Sequence, residues 1–354
     1  MGVTITDVAR VSGVSTSTVS RVLSDNPRIS EKTRIRVLQA VEDLGYRPHA
    51  AARSLANSAS RTIGLILNTE AEQFVRNPFF IGAMAGISQI AQENDYDVMY
   101  AFNPAEKGEL EIASRYVQGR TVDGIILFTS RAQDRCIAYL RQQNCPFSVI
   151  GRPDHAENTL WVDNDNFQAS YQAADLLIAR GHRQIAFIGG PDDLNMTKDR
   201  YDGYRRALAV HGIYPHPDHV MLDGVFTEAY GYDCMRTLLY LQKPGYMPPT
   251  AVITSDDLQG IGALQLLRER GRRDVAVIGF NNTGIGQYQS PALASIDINA
   301  NDLGMHAARL LINRLRDEHM AENHVIVPTQ LVERESLNVP APSRQEYPSQ
   351  EISP

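Results

Sequence analysis

Cysteine is scarce in this chain: Cys136, Cys145 and Cys234 are the three in 354 residues. An odd number without metal-ligand spacing excludes a disulfide scaffold and points to reduced, packed thiols in the cytoplasm. No apolar run is long enough to span a bilayer, and no charged-then-apolar leader opens the chain, so neither a membrane anchor nor export is expected. The patterns of a phosphate loop, a nucleophile elbow and a zinc-binding helix are missing as well. Gly260-Ile261-Gly262 sits inside a helical pattern instead of at a strand-to-helix turn, which makes it poor as a dinucleotide site. Gly189-Gly190-Pro191 reads as a turn that ends a strand, and the nine histidines are scattered, with His182 placed at a helix end. No catalytic constellation emerges, so the expectation is a protein that is not an enzyme and needs no cofactor or metal.

What is present begins at the first residues. Thr4-Ile5-Thr6-Asp7-Val8-Ala9-Arg10-Val11-Ser12-Gly13-Val14-Ser15-Thr16-Ser17-Thr18-Val19-Ser20-Arg21-Val22-Leu23 reads as two short helices joined at Gly13. Thr6 is the expected cap of the first helix and Ser15 of the second. Val8 and Val11, then Val19, Val22 and Leu23, form the inner faces. Thr16, Ser17 and Arg21 fall on the open face of the second helix, as a helix entering a major groove requires. The alternative is a capped helical hairpin of some all-α domain. A third helix runs from Glu31 to Leu44, capped by Ser30, with Ile35, Leu38 and Val41 as its apolar stripe and Gly45 as its left-handed stop. Beyond Tyr46-Arg47-Pro48, residues 49–56 allow two turns of an Ala-rich helix too short to be stable alone. Leu55 in that helix is either a minor-groove wedge or a docking residue.

Charge separates this segment from the rest. Residues 1–61 carry a net charge of +4 and the remainder −11, for −7 overall. A basic module on an acidic body confines contact with a polyanion to the N-terminal segment.

From Thr62 onward, β-branched runs such as Ile63-Gly64-Leu65-Ile66-Leu67, Ile185-Ala186-Phe187-Ile188 and Val275-Ala276-Val277-Ile278 alternate with helical stretches. Continuous apolar runs of this length are parallel strands buried on both faces. The length exceeds one usual core, so two α/β lobes with parallel sheets are expected. A first passage between them is read near residues 158–163, and late elements return the chain to both lobes. Crossovers gathered at one hinge imply a cleft for a small ligand. The expected limits are 1–48 for the helix-turn-helix domain, 49–61 for the hinge helix and linker, and 62–339 for the core. Within the core, the N-lobe is expected at 62–161 and 292–323 and the C-lobe at 162–291 and 324–339. The Pro- and Ser-rich segment 340–354 reads as disordered.

These residues carry a resemblance. Thr4-Ile5-Thr6-Asp7-Val8-Ala9, Thr18-Val19-Ser20-Arg21-Val22-Leu23, Gly45-Tyr46-Arg47-Pro48 and Ala52-Arg53-Ser54-Leu55-Ala56 resemble the lactose/galactose-repressor (LacI/GalR) family. The likeness continues through Val122-Asp123-Gly124, Val162-Asp163-Asn164, Arg200-Tyr201-Asp202-Gly203-Tyr204, Ser255-Asp256-Asp257 and Leu331-Val332-Glu333-Arg334-Glu335-Ser336. It implies a homodimeric repressor on double-stranded operator DNA, with hinge helices in the minor groove and a periplasmic-binding-protein-like core that senses a small sugar. It also implies that Thr4, Ser15, Thr16, Ser17, Ser20, Arg21 and Arg28 lie at the DNA and that Leu55 is the wedge.

On the effector side, the resemblance points to Asn77, Phe79, Phe128, Arg152, Arg200, Phe226, Ser255 and Asn281. For Phe128 and Phe226 the competing reading is ordinary core. Asn281-Asn282 stands where many family members have aspartate. An amide without charge favours a neutral polyol. Asn77-Pro78-Phe79-Phe80, Ile150-Gly151-Arg152-Pro153 and Thr197-Lys198-Asp199-Arg200 look like the maltose-regulator branch, so maltose or a short maltodextrin is the favoured effector. Arg152 and Lys198 leave a sugar phosphate, or a corepressor arrangement, as the alternative. A sugar-binding transport protein would share the core, but the basic helical N-terminus and the missing leader argue against it.

Overall fold

The computed structural model describes residues 3–23, 26–46, 59–67, 71–102, 106–318 and 322–339. The short Ala-rich helix with Leu55 and the segment 340–354 lie outside the described residues. Contact clustering divides the chain into one unit of residues 1–62 with 120–123 and a second holding the rest.

In the first unit, α1 (Ile5–Ser12), α2 (Thr16–Leu23) and α3 (Glu31–Asp43) pack around Val8, Ala9, Val19, Val22, Val37, Ala40 and Tyr46. Thr4, not Thr6, caps α1. The helix starts one residue after Thr4, and the Asp7 carboxylate accepts from the Thr4 N–H at 3.0 Å and the Thr4 hydroxyl at 2.8 Å. Thr6 is therefore inside the first turn, and the acid at the third helical position identifies the true cap. Gly13 turns the chain at φ 64°, and the Ser15 hydroxyl accepts from the Thr18 N–H at 3.2 Å. The inner stripe of α3 is Val37 and Ala40, with Val41 and Leu44 packed beside them. Ile35 and Leu38 instead face out, as does Val11 on α1. An apolar side chain on a short helix has two near-equivalent stripes to choose from, and packing selects one.

The second unit contains two six-stranded sheets. One has the order β11-β5-β4-β3-β1-β2, from His324–Val327, Leu160–Asn164, Phe147–Ile150, Gly124–Leu127, Thr62–Leu67 and Asp97–Phe102. The other has the order β12-β10-β9-β8-β6-β7, from Gln330–Val332, Ala294–Asp297, Ala276–Phe280, Ala251–Thr254, Ile185–Ile188 and Val220–Met221. The inner pairings are parallel, and β12 runs antiparallel to β10. Strands β3, β4, β6 and β8 are buried along their whole length, as runs with no polar alternation require. The first lobe carries α4 (Ala71–Arg76), α5 (Pro78–Glu93), α6 (Glu106–Gly119), α7 (Arg135–Gln142) and α13 (Ala300–Leu315). The second carries α8 (Asn166–Ala179), α9 (Asn195–Val210), α10 (Glu228–Tyr240), α11 (Asp257–Glu269) and α12 (Gly284–Gln287).

The chain crosses between sheets three times, after β5, β10 and β11. This corrects the expected lobe limits: β5 extends the N-lobe to Asn164, β10 belongs to the C-lobe sheet, and β11 returns to the N-lobe sheet. The runs announce strands, but a run of β-branched residues does not say which sheet it joins. Asn164 sits at the first crossover and donates from Nδ2 to the carbonyls of Ile298 at 3.0 Å and Val327 at 2.9 Å. One side chain thus ties all three crossovers together.

Glycines set the spacing of the helix pairs. A Cβ on Gly262 in α11 would lie 1.9 Å from the Glu228 carbonyl oxygen of α10, so the Gly-Ile-Gly run serves packing. A Cβ on Gly304 in α13 would lie 2.0 Å from the Ala83 carbonyl oxygen of α5. Alanine gains about 1 kcal/mol of helix propensity over glycine, but a clash with backbone cannot be relieved by a rotamer change and must separate the helices. Gly304→Ala is therefore expected to lower stability by roughly 1–2 kcal/mol net. Urea unfolding checks it, and an unchanged or raised midpoint would mean that the two helices slide apart freely.

Candidate functional site

Two groups of candidate residues lie in the two units. In the first, Ser15 is fixed at the head of α2 by its own capping bond and by the Ser17 hydroxyl at 2.8 Å. Thr16, Ser17 and Arg21 are exposed while Val19 and Val22 point into the core, so the polar face of α2 is open. Thr4 and Arg28 are also exposed, and Ser20 is half-buried. Small hydroxyls at the start of a helix with a cation one turn later can read base edges and hold phosphate together.

The second group meets in a cleft, open to solvent, between the two sheets. Phenyl rings of Phe79, Phe80, Phe128 and Phe226 form much of its apolar wall. Asn77 caps α5 by accepting from the Phe79 N–H at 3.1 Å, which also fixes the start of that wall. Its Nδ2 crosses the cleft to donate to Asp256 Oδ2 at 3.0 Å, and Asn281 Nδ2 donates to the same oxygen at 2.7 Å. Arg200 projects from α9 and is 2% exposed. Its Nε donates to Asn166 Oδ1 at 2.8 Å, one terminal nitrogen donates to the Ser255 carbonyl at 2.6 Å, and the guanidinium lies 4.0 Å from the Phe280 ring centre. At the other rim, Asn195 Nδ2 approaches the Arg152 carbonyl and Asp154 Oδ1, each at 3.0 Å, and Arg131 pairs with Asp193.

Of the expected effector residues, Asn77, Phe79, Phe128, Arg200, Phe226 and Asn281 line this one cavity. Arg152 and Ser255 do not. The Arg152 guanidinium turns to Asp199, at 2.9 and 3.1 Å, and borders a separate polar recess with Trp161 and Asp165. The Ser255 hydroxyl is buried with no partner among the described residues, and only its carbonyl serves the site, by holding Arg200. Lys198 is exposed and absent from the lining. Sequence reasoning passed over Phe80, Asn166 and Asp256, although Phe80 and Asp256 each sat inside a motif quoted for the family likeness and Asn166 lies two residues past another. His182 is packed neutral: its Nδ1 meets the Thr250 hydroxyl at 3.0 Å, and burial lowers its pKa to about 4.

A helix-turn-helix module preceding a two-lobed sensor with a polar-aromatic cleft is the plan of a ligand-responsive transcription regulator. Two family patterns match: bacterial regulatory proteins of the lacI family over residues 4–49, and the periplasmic binding protein-like domain over residues 174–337. The transcriptional regulator MalR of Streptococcus pneumoniae is 35% identical over 320 residues, spanning 90% of this chain and 94% of that one. CelR of Thermobifida fusca is 32% identical over 338 residues, spanning 94% and 98%. Among solved structures, the CelR–cellobiose complex matches with a TM-score of 0.72 at 31% identity, covering 94% of this chain and 99% of that one. The lac repressor dimer bound to operator and an anti-inducer shares the fold, with a TM-score of 0.79 at 24% identity over 95% and 99% of the chains. The chain belongs to the LacI family. That family consists of DNA-binding transcription regulators, not enzymes, and among the described residues no helix is long and apolar enough to cross a membrane.

The floor of the cleft is an electrostatic cluster. Burial pushes Asp163 and Asp256 up to about 6 and Asp257 up to about 7, against an ordinary value of 3.8. Hydrogen bonds to these carboxylates, including Asn77 to Asp256 and Ser295 and Thr283 to Asp257, act in the opposite direction. Burial also lowers Arg200 to about 10. Above the ordinary carboxylate value the unfolded chain has released protons that these buried groups still hold. Folding then takes up protons, so their contribution to stability falls as pH rises from about 4 to about 7. Asp257→Asn, which resembles the protonated acid, should flatten that fall. Thermal midpoints at about pH 5 and about pH 7.5 test it, and equal slopes for both proteins would exclude Asp257 as a contributor.

Proposed function

We propose that the protein represses carbohydrate-utilisation genes in the cytoplasm, binding operator DNA as a dimer through α2 and letting go when a neutral sugar enters the cleft. Maltose or a short maltodextrin is the favoured effector. The observation that carries this reading is the composition of the cavity: aromatic rings beside Asn77, Asn166, Arg200, Asp256 and Asn281. Rings stack on the apolar faces of a pyranose, while amide, carboxylate and guanidinium groups bond its hydroxyls. Among the described residues, Arg200 is the one cation of the lining, and Asp163 and Asp256 line it too. An added phosphate would therefore meet no uncompensated positive charge, which favours a neutral ligand over a sugar phosphate. The names of the similar regulators, MalR and CelR, and the cellobiose in the CelR complex support a glucose-type oligosaccharide.

In this reading Thr16, Ser17 and Arg21 touch base edges, with Thr4, Ser15, Ser20 and Arg28 supporting the helix or the phosphates. Arg21→Ala is expected to weaken binding to a selected duplex by ~1–3 kcal/mol while changing scrambled DNA little. Gel-shift titration on both duplexes measures it, and equal losses would make Arg21 a phosphate contact only.

Phe226 is the cleanest probe of the cleft, because Arg200 also compensates buried carboxylates and its loss would disturb the fold. Phe226→Ala should raise the dissociation constant for maltose roughly tenfold, the loss of one stacking surface, and leave DNA binding unchanged. Calorimetric titration with maltose, maltotriose and cellobiose decides both points. No heat with any of the three would overturn the proposed ligand, and unaltered affinity in the variant would place the sugar away from Phe226.

A further inference from the structure

The Asp123 of Val122-Asp123-Gly124 helped to identify the family, but no part in the cleft or at the DNA falls to it. Its carboxylate closes the end of the linker. Oδ1 accepts from the Ser60 N–H at 2.5 Å and the Ser60 hydroxyl at 2.8 Å, and Oδ2 accepts from the Arg61 N–H at 2.9 Å. The Asp123 N–H returns a bond to the Thr62 carbonyl at 2.8 Å, and the Thr62 hydroxyl donates to the Ser60 carbonyl at 3.1 Å. Two successive backbone N–H groups converging on one anion form a nest, which fixes the direction of the backbone at that point. Arg61 has φ 51°, a left-handed conformation disfavoured for a side-chain-bearing residue and held only where surrounding bonds dictate it. Thr62 opens β1 and Gly124 opens β3, and the next residue, Ile63, stands opposite Gly124 in the sheet.

We propose that Asp123 is a positioning residue for operator binding: it fixes the point and direction from which the linker leaves toward α1–α3. The idea rests on the repressor reading above. Two recognition helices can address inverted half-sites together only if their tethers start from defined places. Without the carboxylate, Ser60 and Arg61 regain backbone freedom, and specific binding has to order them again. Non-specific binding is dominated by phosphate charge, needs no fixed spacing and should be indifferent.

The test uses the full-length protein and a duplex that the wild type selects from a random pool. Asp123→Ala is expected to bind the selected duplex about tenfold more weakly, equivalent to ~1.4 kcal/mol, with affinity for scrambled duplex within about twofold. Asp123→Asn keeps one acceptor but turns an amide toward the nest, so it should fall between. Ser60→Ala removes one donor without touching the sheet and should show a smaller loss of the same selectivity. Thermal unfolding run alongside should give midpoints close to the wild type. Unchanged affinity for the selected duplex in Asp123→Ala overturns the proposal, as does an equal loss on both duplexes. A loss in Asp123→Ala with no effect of Ser60→Ala or Asp123→Asn would mark a merely structural carboxylate and overturn it too. If the wild type selects no sequence at all, it is the repressor reading that fails.

Discussion

The two-lobed core depends on the amide of Asn164. Three separate strands of chain pass between the sheets, and each leaves polar backbone groups where no sheet ladder can satisfy them. Asn164 Nδ2 donates to the carbonyls of two of the crossovers while its own backbone belongs to the third. Next to it, Asp163 accepts from the N–H groups of Arg152 and Asn164 and from the Asn166 side chain. Buried polar groups are costly unless bonded, so this small network makes one arrangement of the crossovers much better than its neighbours. The three connecting segments are thereby held in register with one another.

The same network delivers the cleft's chemistry. Asn166 donates from Nδ2 to Asp163 and accepts at Oδ1 from Arg200 Nε, and Arg200 in turn donates to the Ser255 carbonyl and lies against the Phe280 ring. A guanidinium at 2% exposure would be prohibitive alone; here Asp163, Asp256 and Asp257 raise its pKa against the burial that lowers it. The cost of burying these charges is offset by their mutual attraction and by the hydrogen bonds of Arg200 to Asn166 and the Ser255 carbonyl. Hydroxyls of a neutral polyol can join such a network without bringing a net charge into it, whereas an anion would upset its balance.

Much of this architecture was legible in the residues, and the failures have identifiable causes. The helix starts at Ser15 and Ser30 and the stops at Gly13 and Gly45 follow from local bonding and sterics, which sequence expresses directly. The cap of α1 was misplaced by two residues because Thr4 and Thr6 are chemically equal, and only the position of Asp7 distinguishes them. The assignment of β10 and β11 to lobes was inverted because long-range pairing leaves no trace in a four-residue apolar run. In the cleft, six of eight expected residues line one cavity. Arg152 was misread because a family-like motif fixes a backbone position but not the partner that captures a long side chain, here Asp199. Ser255 lies just past the end of β8 and one residue before Asp256, with its hydroxyl buried and its carbonyl accepting from Arg200.

The contacts that bridge the cleft also limit how a sugar could act on DNA. Asn77 bridges to Asp256 across one rim, and Arg152–Asp199, Arg131–Asp193 and Asn195 bridge the other. A ligand changes an equilibrium only through unequal affinity for its states. A sugar that merely filled the existing space would bind without signalling. Asn77 and Asn281 share the same Asp256 oxygen, so a sugar hydroxyl donating to that oxygen would crowd both bonds. Displacing Asn77 loosens the bridge between lobes, whereas displacing Asn281 leaves it intact. Asn77 also caps α5 and fixes the first ring of the aromatic wall, so one side chain holds both the bridge to Asp256 and the start of that wall. The bridge between the lobes therefore runs through a carboxylate oxygen that faces the same cleft as the aromatic wall.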